Sequence, residues 1–165
     1  MTDFDFKEDF LVVRKKTDIL KLRSLGAGVE DADETSLTYL EAAYFADRGV
    51  LPLKKEELLK IASKKDHLST EKYFVIRYLR DRGYIIRPSL DGTPYLRLHR
   101  KGLRPGEDKT YYLIEVVKKD WTAVPSELIS SIEVAGKLRK DLAIAIPDPE
   151  HDHVTFIKFA RMNFE

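Results

Sequence analysis

Apolar and polar positions follow two different periods along this chain, and the change between them is sharpest across residues 73–88. Phe74, Arg77 and Tyr78 lie three and four apart, the spacing of neighbours on a helix surface. Gly83 follows as a left-handed helix stop, residues 84–87 (Tyr-Ile-Ile-Arg) read as a strand, and Pro88 closes it. Upstream, residues 10–13 predict a short strand and residues 17–25 a short helix ended by Gly26. The acidic run 30–34 reads as loop. Residues 37–48 predict a helix with Leu37, Leu40, Ala43 and Tyr44 on one face and Gly49 after its end. Residues 56–63 predict another. The polar stretch 64–67 is the expected boundary between two units, 1–68 and 69–165, with Ser69 or Thr70 capping the next helix.

Beyond residue 88 the pattern is mostly that of strands. Residues 95–99 and 110–117 are β-rich and flank a loop holding Gly102, Pro105 and Gly106. Pro125 and Ser126 open a helix to about Leu138, and residues 142–146 form the unbroken apolar run of a buried central strand. Residues 147–153 read as an acidic loop and 154–159 as the last strand. Helix, three strands, helix and two strands describe a mixed α/β, nuclease-like core of the restriction-endonuclease-like kind, preceded by a small α/β unit.

Composition narrows this picture only at its margins. The 29 Lys and Arg against 28 Asp and Glu leave a formal charge of +1, which argues neither for nor against a nucleic-acid partner. The stretch from Ser69 onward, with 17 basic and 14 acidic residues, is mildly cationic. No cysteine is present, which excludes disulfides and thiolate metal sites. Apolar runs are too short to span a bilayer and the first residues lack signal-peptide character, so a soluble, cytoplasmic protein is expected. Glutamine is absent and Asn163 is the only asparagine, a composition that suits a thermophile.

The helix-glycine-strand unit of residues 73–88 resembles the one that opens the nuclease domain of tRNA-splicing endonucleases. Residues 37–49 resemble the main helix of that family's amino-terminal domain, and residues 96–102, 112–117 and 137–146 fall in order where its core is expected. The resemblance implies a tyrosine, a histidine and a lysine that cleave RNA to a 2′,3′-cyclic phosphate without metal or cofactor. It aligns the tyrosine with His99, the histidine with Lys109 (or Asp108 under a one-residue shift) and the lysine with Lys140. One of the three survives. A cation two turns before the lysine, which clamps a base in the family, is replaced by the region of Glu133.

Each candidate has a plainer reading beside the functional one. His99 is a replacement acid-base or a solvated strand-end histidine; Lys140 is a phosphate contact or a cation on the helix dipole. Arg97, Arg100, Lys101, Arg104 and Lys109 follow an RNA backbone or form a solvated hairpin face. His151 and His153 around Asp152 invite a metal, but with no third ligand nearby in sequence none is expected. The resemblance further implies that Asp148, Glu150 and Asp152 form an acidic loop that docks on a neighbouring subunit, with Val154, Phe156, Phe159 and Phe164 offering a strand edge and apolar face. The function expected is that of a non-catalytic subunit, paired two-plus-two with a catalytic sister chain, that helps excise introns from precursor tRNA. An active nuclease using His99 and Lys140, or a stand-alone RNA-binding module, are the alternatives.

Overall fold

The computed structural model describes residues 2–88, 93–101 and 110–164. Among these residues, two sheets and five helices make a mixed α/β fold. The first sheet holds β1 (Phe4–Phe6), β2 (Phe10–Val13), β3 (Val29–Asp31) and β4 (Glu34–Thr38), ordered β1-β2-β4-β3 and antiparallel throughout. Helix α1 (Lys16–Ser24) connects β2 to β3, and α2 (Tyr39–Asp47) and α3 (Lys55–Ser63) follow β4. The second sheet is built from β5 (Ile85–Pro88), β6 (Leu96–His99), β7 (Thr110–Val116), β8 (Asp141–Asp148) and β9 (His153–Phe159), in chain order. Only β7 and β8 run parallel, as the crossover through α5 (Pro125–Lys137) requires. Helix α4 (Ser69–Asp81) packs on one face of this sheet and α5 on the other.

The expected order of helix, three strands, helix and two strands is therefore present. The acidic run 30–34 is a correction: it is no loop but the tip of a β3–β4 hairpin turned by Ala32 and Asp33, with Ala32 in the left-handed region at φ 51°. Glu30 and Asp31 sit on the edge strand β3, where charge is tolerated. The expected helix at residues 37–48 also begins later, because Leu37 and Thr38 complete β4. Leu37 is fully buried opposite Leu11, and the Thr38 hydroxyl caps α2 by accepting from the Glu41 amide at 3.3 Å. Strand β1 carries too few residues to stand out as a periodic signal.

One buried cluster runs from Leu11, Val13 and Leu37 through Phe45 and Ile76 to Ile86, Ile114 and Ala145, so both sheets share a core. The apolar run of β8 lies in the sheet interior, with Leu142 to Ala145 all buried. A smaller cluster of Leu113, Ala135 and Leu142 lies under α5. Arg80 of α4 ties the halves together: it donates to the carbonyls of Leu25 and Gly26 at 2.6 and 3.3 Å and faces Glu41 at 3.4 Å. No helix among the described residues is long and apolar enough to cross a membrane.

Candidate functional site

Strand register brings two of the three aligned positions, His99 and Lys140, to one end of the second sheet. His99 closes β6 and pairs with Thr110, the first residue of β7; Tyr112 of β7 pairs with Asp141, the first residue of β8. Lys140 thus enters beside the start of β7, delivered by the turn that ends α5. Lys109, Asp108 and Arg104 lie outside the described residues.

His99 is not the solvated strand-end histidine expected; it is 5 % exposed. The β-sheet alternation places Arg97 and His99 on the face opposite Leu96 and Leu98, and Arg87 reaches His99 from the neighbouring strand. Arg87 Nη2 lies 3.3 Å from His99 Nε2, while its Nη1 donates to the Gly28 carbonyl at 3.0 Å. A guanidinium only donates, so Nε2 is the acceptor and its lone pair is occupied. An imidazole held in this way is a poor candidate for taking a proton from a substrate hydroxyl. No local feature of the sequence marks Arg87 for this contact. Its position on the His99 face depends on a register that strand periodicity alone does not supply.

The cations of the β6 end divide by environment. Arg97 is half-buried, whereas Arg100 and Lys101 are exposed. Lys101 Nζ stands 5.7 Å above the Tyr84 ring, and its side chain covers Gly83, where an added Cβ would lie 3.0 Å from Lys101 Cε. Lys140 is half-buried. Glu133, in the region where the resemblance calls for a base-clamping cation, forms an exposed ion pair with Arg161 at 3.5 Å.

At the opposite end, the acidic loop is more ordered than a plain charged turn. Pro149–His151 forms one 3₁₀ turn and Asp152 adopts a left-handed backbone at φ 47°. Asp148 is used within the chain: Lys119 Nζ sits 2.9 Å from one carboxylate oxygen and His151 Nδ1 2.8 Å from the other. The Lys119 hydrogen bond, aided by His151, holds the Asp148 carboxyl down at about 2. A depressed carboxylate stabilises the fold above its ordinary range and loses that contribution as pH falls toward 2. A carboxyl-carbon NMR titration is expected to give a midpoint near 2; a midpoint at the ordinary 3.8 would show that the loop is not held this way. Glu150 and Asp152 stay exposed, Asp152 lying 3.5 Å from Arg77.

Donor atoms of Asp148, Glu150 and His151 lie within 4.8 Å of one another, but the Lys119 ammonium on Asp148 competes with any cation there. Strand β9 is a sheet edge. Val154 departs from the expected docking face: it is 2 % exposed and belongs to the core. Phe159 is half-buried beneath α5, so the outward apolar surface is carried by Phe156, Ile157 and the terminal Phe164.

A family model described as the catalytic C-terminal domain of tRNA intron endonuclease matches residues 69–156. That span runs from the first residue of α4 into β9 and holds every position brought to the sheet end. The chain belongs to the tRNA intron endonuclease family. It is 31 % identical to the tRNA-splicing endonuclease of Thermococcus kodakarensis over 135 residues, covering 78 % of each chain. Identity to the tRNA-splicing endonuclease of Methanothermobacter thermautotrophicus is 33 %, over 73 % of this chain and 74 % of that one. For that of Methanococcus vannielii it is 30 %, over 87 % and 85 %. Matches of this extent are longer than the nuclease core from Ser69 onward and so reach into the amino-terminal half, and they make tRNA splicing the process to which the site must be referred.

Proposed function

We propose that this chain is a structural, non-catalytic subunit of a tRNA-splicing endonuclease, assembled two-plus-two with a sister chain that carries the complete site. The observation that carries this reading is His99, buried at the tyrosine position with its Nε2 occupied by Arg87. Two features of the sequence support it. Lys109 stands at the histidine position, and no histidine occurs between His99 and His151. Lys140 alone then retains a family role, as a cation toward RNA phosphate, with Arg97, Arg100, Lys101 and Arg104 extending that basic surface. Glu150 and Asp152 are the charges presented to the sister chain, and Asp148 shapes the loop that presents them. The free edge of β9, with Phe156 and Ile157 beside it, supplies the apolar part of the contact.

The test is cleavage of a bulge-helix-bulge precursor RNA by the purified chain, with and without a co-expressed catalytic homologue. Activity in the mixture is expected to exceed that of the chain alone by about a hundredfold or more, the scale of a missing acid-base pair. Cleavage by the chain alone at the mixture's rate would overturn the proposal and return His99 and Lys140 to catalysis. RNA binding without any complex between the chains would instead favour a stand-alone binding module.

A further inference from the structure

Among the described residues, four helices end in the same doubly bonded turn, and one breaks the rule that the other three follow. In α1, α2 and α4 the residue after the cap is Gly26, Gly49 or Gly83, with φ of 64°, 74° and 88°. Each closes two hydrogen bonds back onto its helix: Gly26 to Arg23 and Ala27 to Leu22, Gly49 to Ala46 and Val50 to Phe45, Gly83 to Arg80 and Tyr84 to Leu79. Helix α5 closes the same pair, Arg139 to Gly136 at 3.0 Å and Lys140 to Ala135 at 2.8 Å. Yet its left-handed residue is Arg139, at φ 56°. A side chain with a Cβ is disfavoured there, which is why glycine dominates the position.

Helix stability does not account for the arginine. Lys137 already supplies a cation to the last turn, where it meets the helix dipole. The Arg139 side chain is exposed, and among the described residues it meets no carboxylate, in contrast to Lys158, which pairs with the adjoining Asp141 at 3.2 Å. The strained residue immediately precedes Lys140, at the sheet end where Arg100 and Lys101 are also exposed. Backbone strain retained at such a point is an observation from which function is inferred.

We propose that Arg139 is a further RNA-positioning residue, its guanidinium binding a substrate phosphate next to the one served by Lys140. This inference rests on the reading that the chain forms part of an RNA-cleaving assembly. The test is Arg139→Gly in the complex with a catalytic homologue, on a bulge-helix-bulge RNA. The variant is expected to unfold at a higher temperature while binding RNA about three- to tenfold more weakly. Its affinity should also depend less steeply on salt, by about one unit of logarithmic slope, as for the loss of one phosphate contact. Arg139→Lys keeps the charge and is expected to retain the slope. A stabilised Arg139→Gly variant with unchanged affinity and slope would overturn the inference while leaving the functional reading intact. A variant that is not stabilised would remove the premise of strain. If the unaltered complex showed no salt-dependent RNA binding, both would fall together.

Discussion

Replacing Arg80 by methionine is expected to cost about 3–5 kcal/mol of unfolding free energy, the scale of breaking a buried ion pair from one side. The side chains of Arg80 and Glu41 are 6 % and 3 % exposed, and one Glu41 oxygen accepts both from Arg80 and from the Gly28 amide at 3.0 Å. Arg80 also satisfies the carbonyls of Leu25 and Gly26 and lies over the Phe45 ring at 5.2 Å. Methionine fills much of the same volume but takes the guanidinium donors from two carbonyls and leaves buried Glu41 without the cation it contacts. Burial raises the Glu41 pKa above its ordinary value, and Arg80 is the first of the groups opposing that rise. With Arg80 gone the rise grows. A carboxyl raised in the folded state favours folding below its unfolded pKa and loses that benefit as pH climbs through the folded one. The variant's deficit is therefore expected to be larger at neutral pH than near pH 4. Urea unfolding at both pH values, with an unchanged m-value, measures it. A deficit under about 1 kcal/mol at neutral pH would show that the pair is dispensable. Glu41→Gln in the Arg80→Met background removes the stranded charge and is expected to recover part of the loss.

These same residues show where the sequence was readable. Gly26, Gly49 and Gly83 announce three helix ends correctly, because left-handed backbone is written in residue type itself. The apolar run of β8 announces a strand buried on both faces for an equally local reason. The β3–β4 hairpin was hidden because the edge strand β3 tolerates Glu30 and Asp31, which with Glu34 at the start of β4 look like loop to any pattern of burial. Thr38 and Glu41 carried a readable signal, the Thr-x-x-Glu spacing that marks a helix start, and it places the boundary at Tyr39. The Glu41 carboxylate, however, does not reach back to its own helix. It turns to Gly28 and Arg80, 13 and 39 residues away, and contacts of that range leave no local trace. The candidate site divides in the same way. The proposed replacement of the family tyrosine and histidine rests on local alignment alone, while the surroundings of His99 depend on Arg87 across a strand and Gly28 in the other sheet's connections.

That dependence gives the second large effect. His99→Ala is expected to leave cleavage by the assembled enzyme within about twofold of the unaltered rate, whereas removing a general base costs about 10²–10⁴-fold. Its cost falls on stability instead. Deleting the imidazole leaves Arg87 Nη2 without its acceptor and opens space beneath a 5 % exposed site, a loss of about 1–3 kcal/mol. Arg87→Ala is the sharper probe, since it strands two acceptors at once, the Gly28 carbonyl and His99 Nε2, at about 1–3 kcal/mol for each if water does not reach it. If both groups belong to the framework, the two variants lower the unfolding midpoint while the assembled enzyme keeps its rate. A His99→Ala complex that folds and assembles normally yet cleaves a hundredfold more slowly would place the imidazole in the chemistry after all. The two readings differ in which quantity moves, so unfolding and single-turnover cleavage on the same preparations separate them.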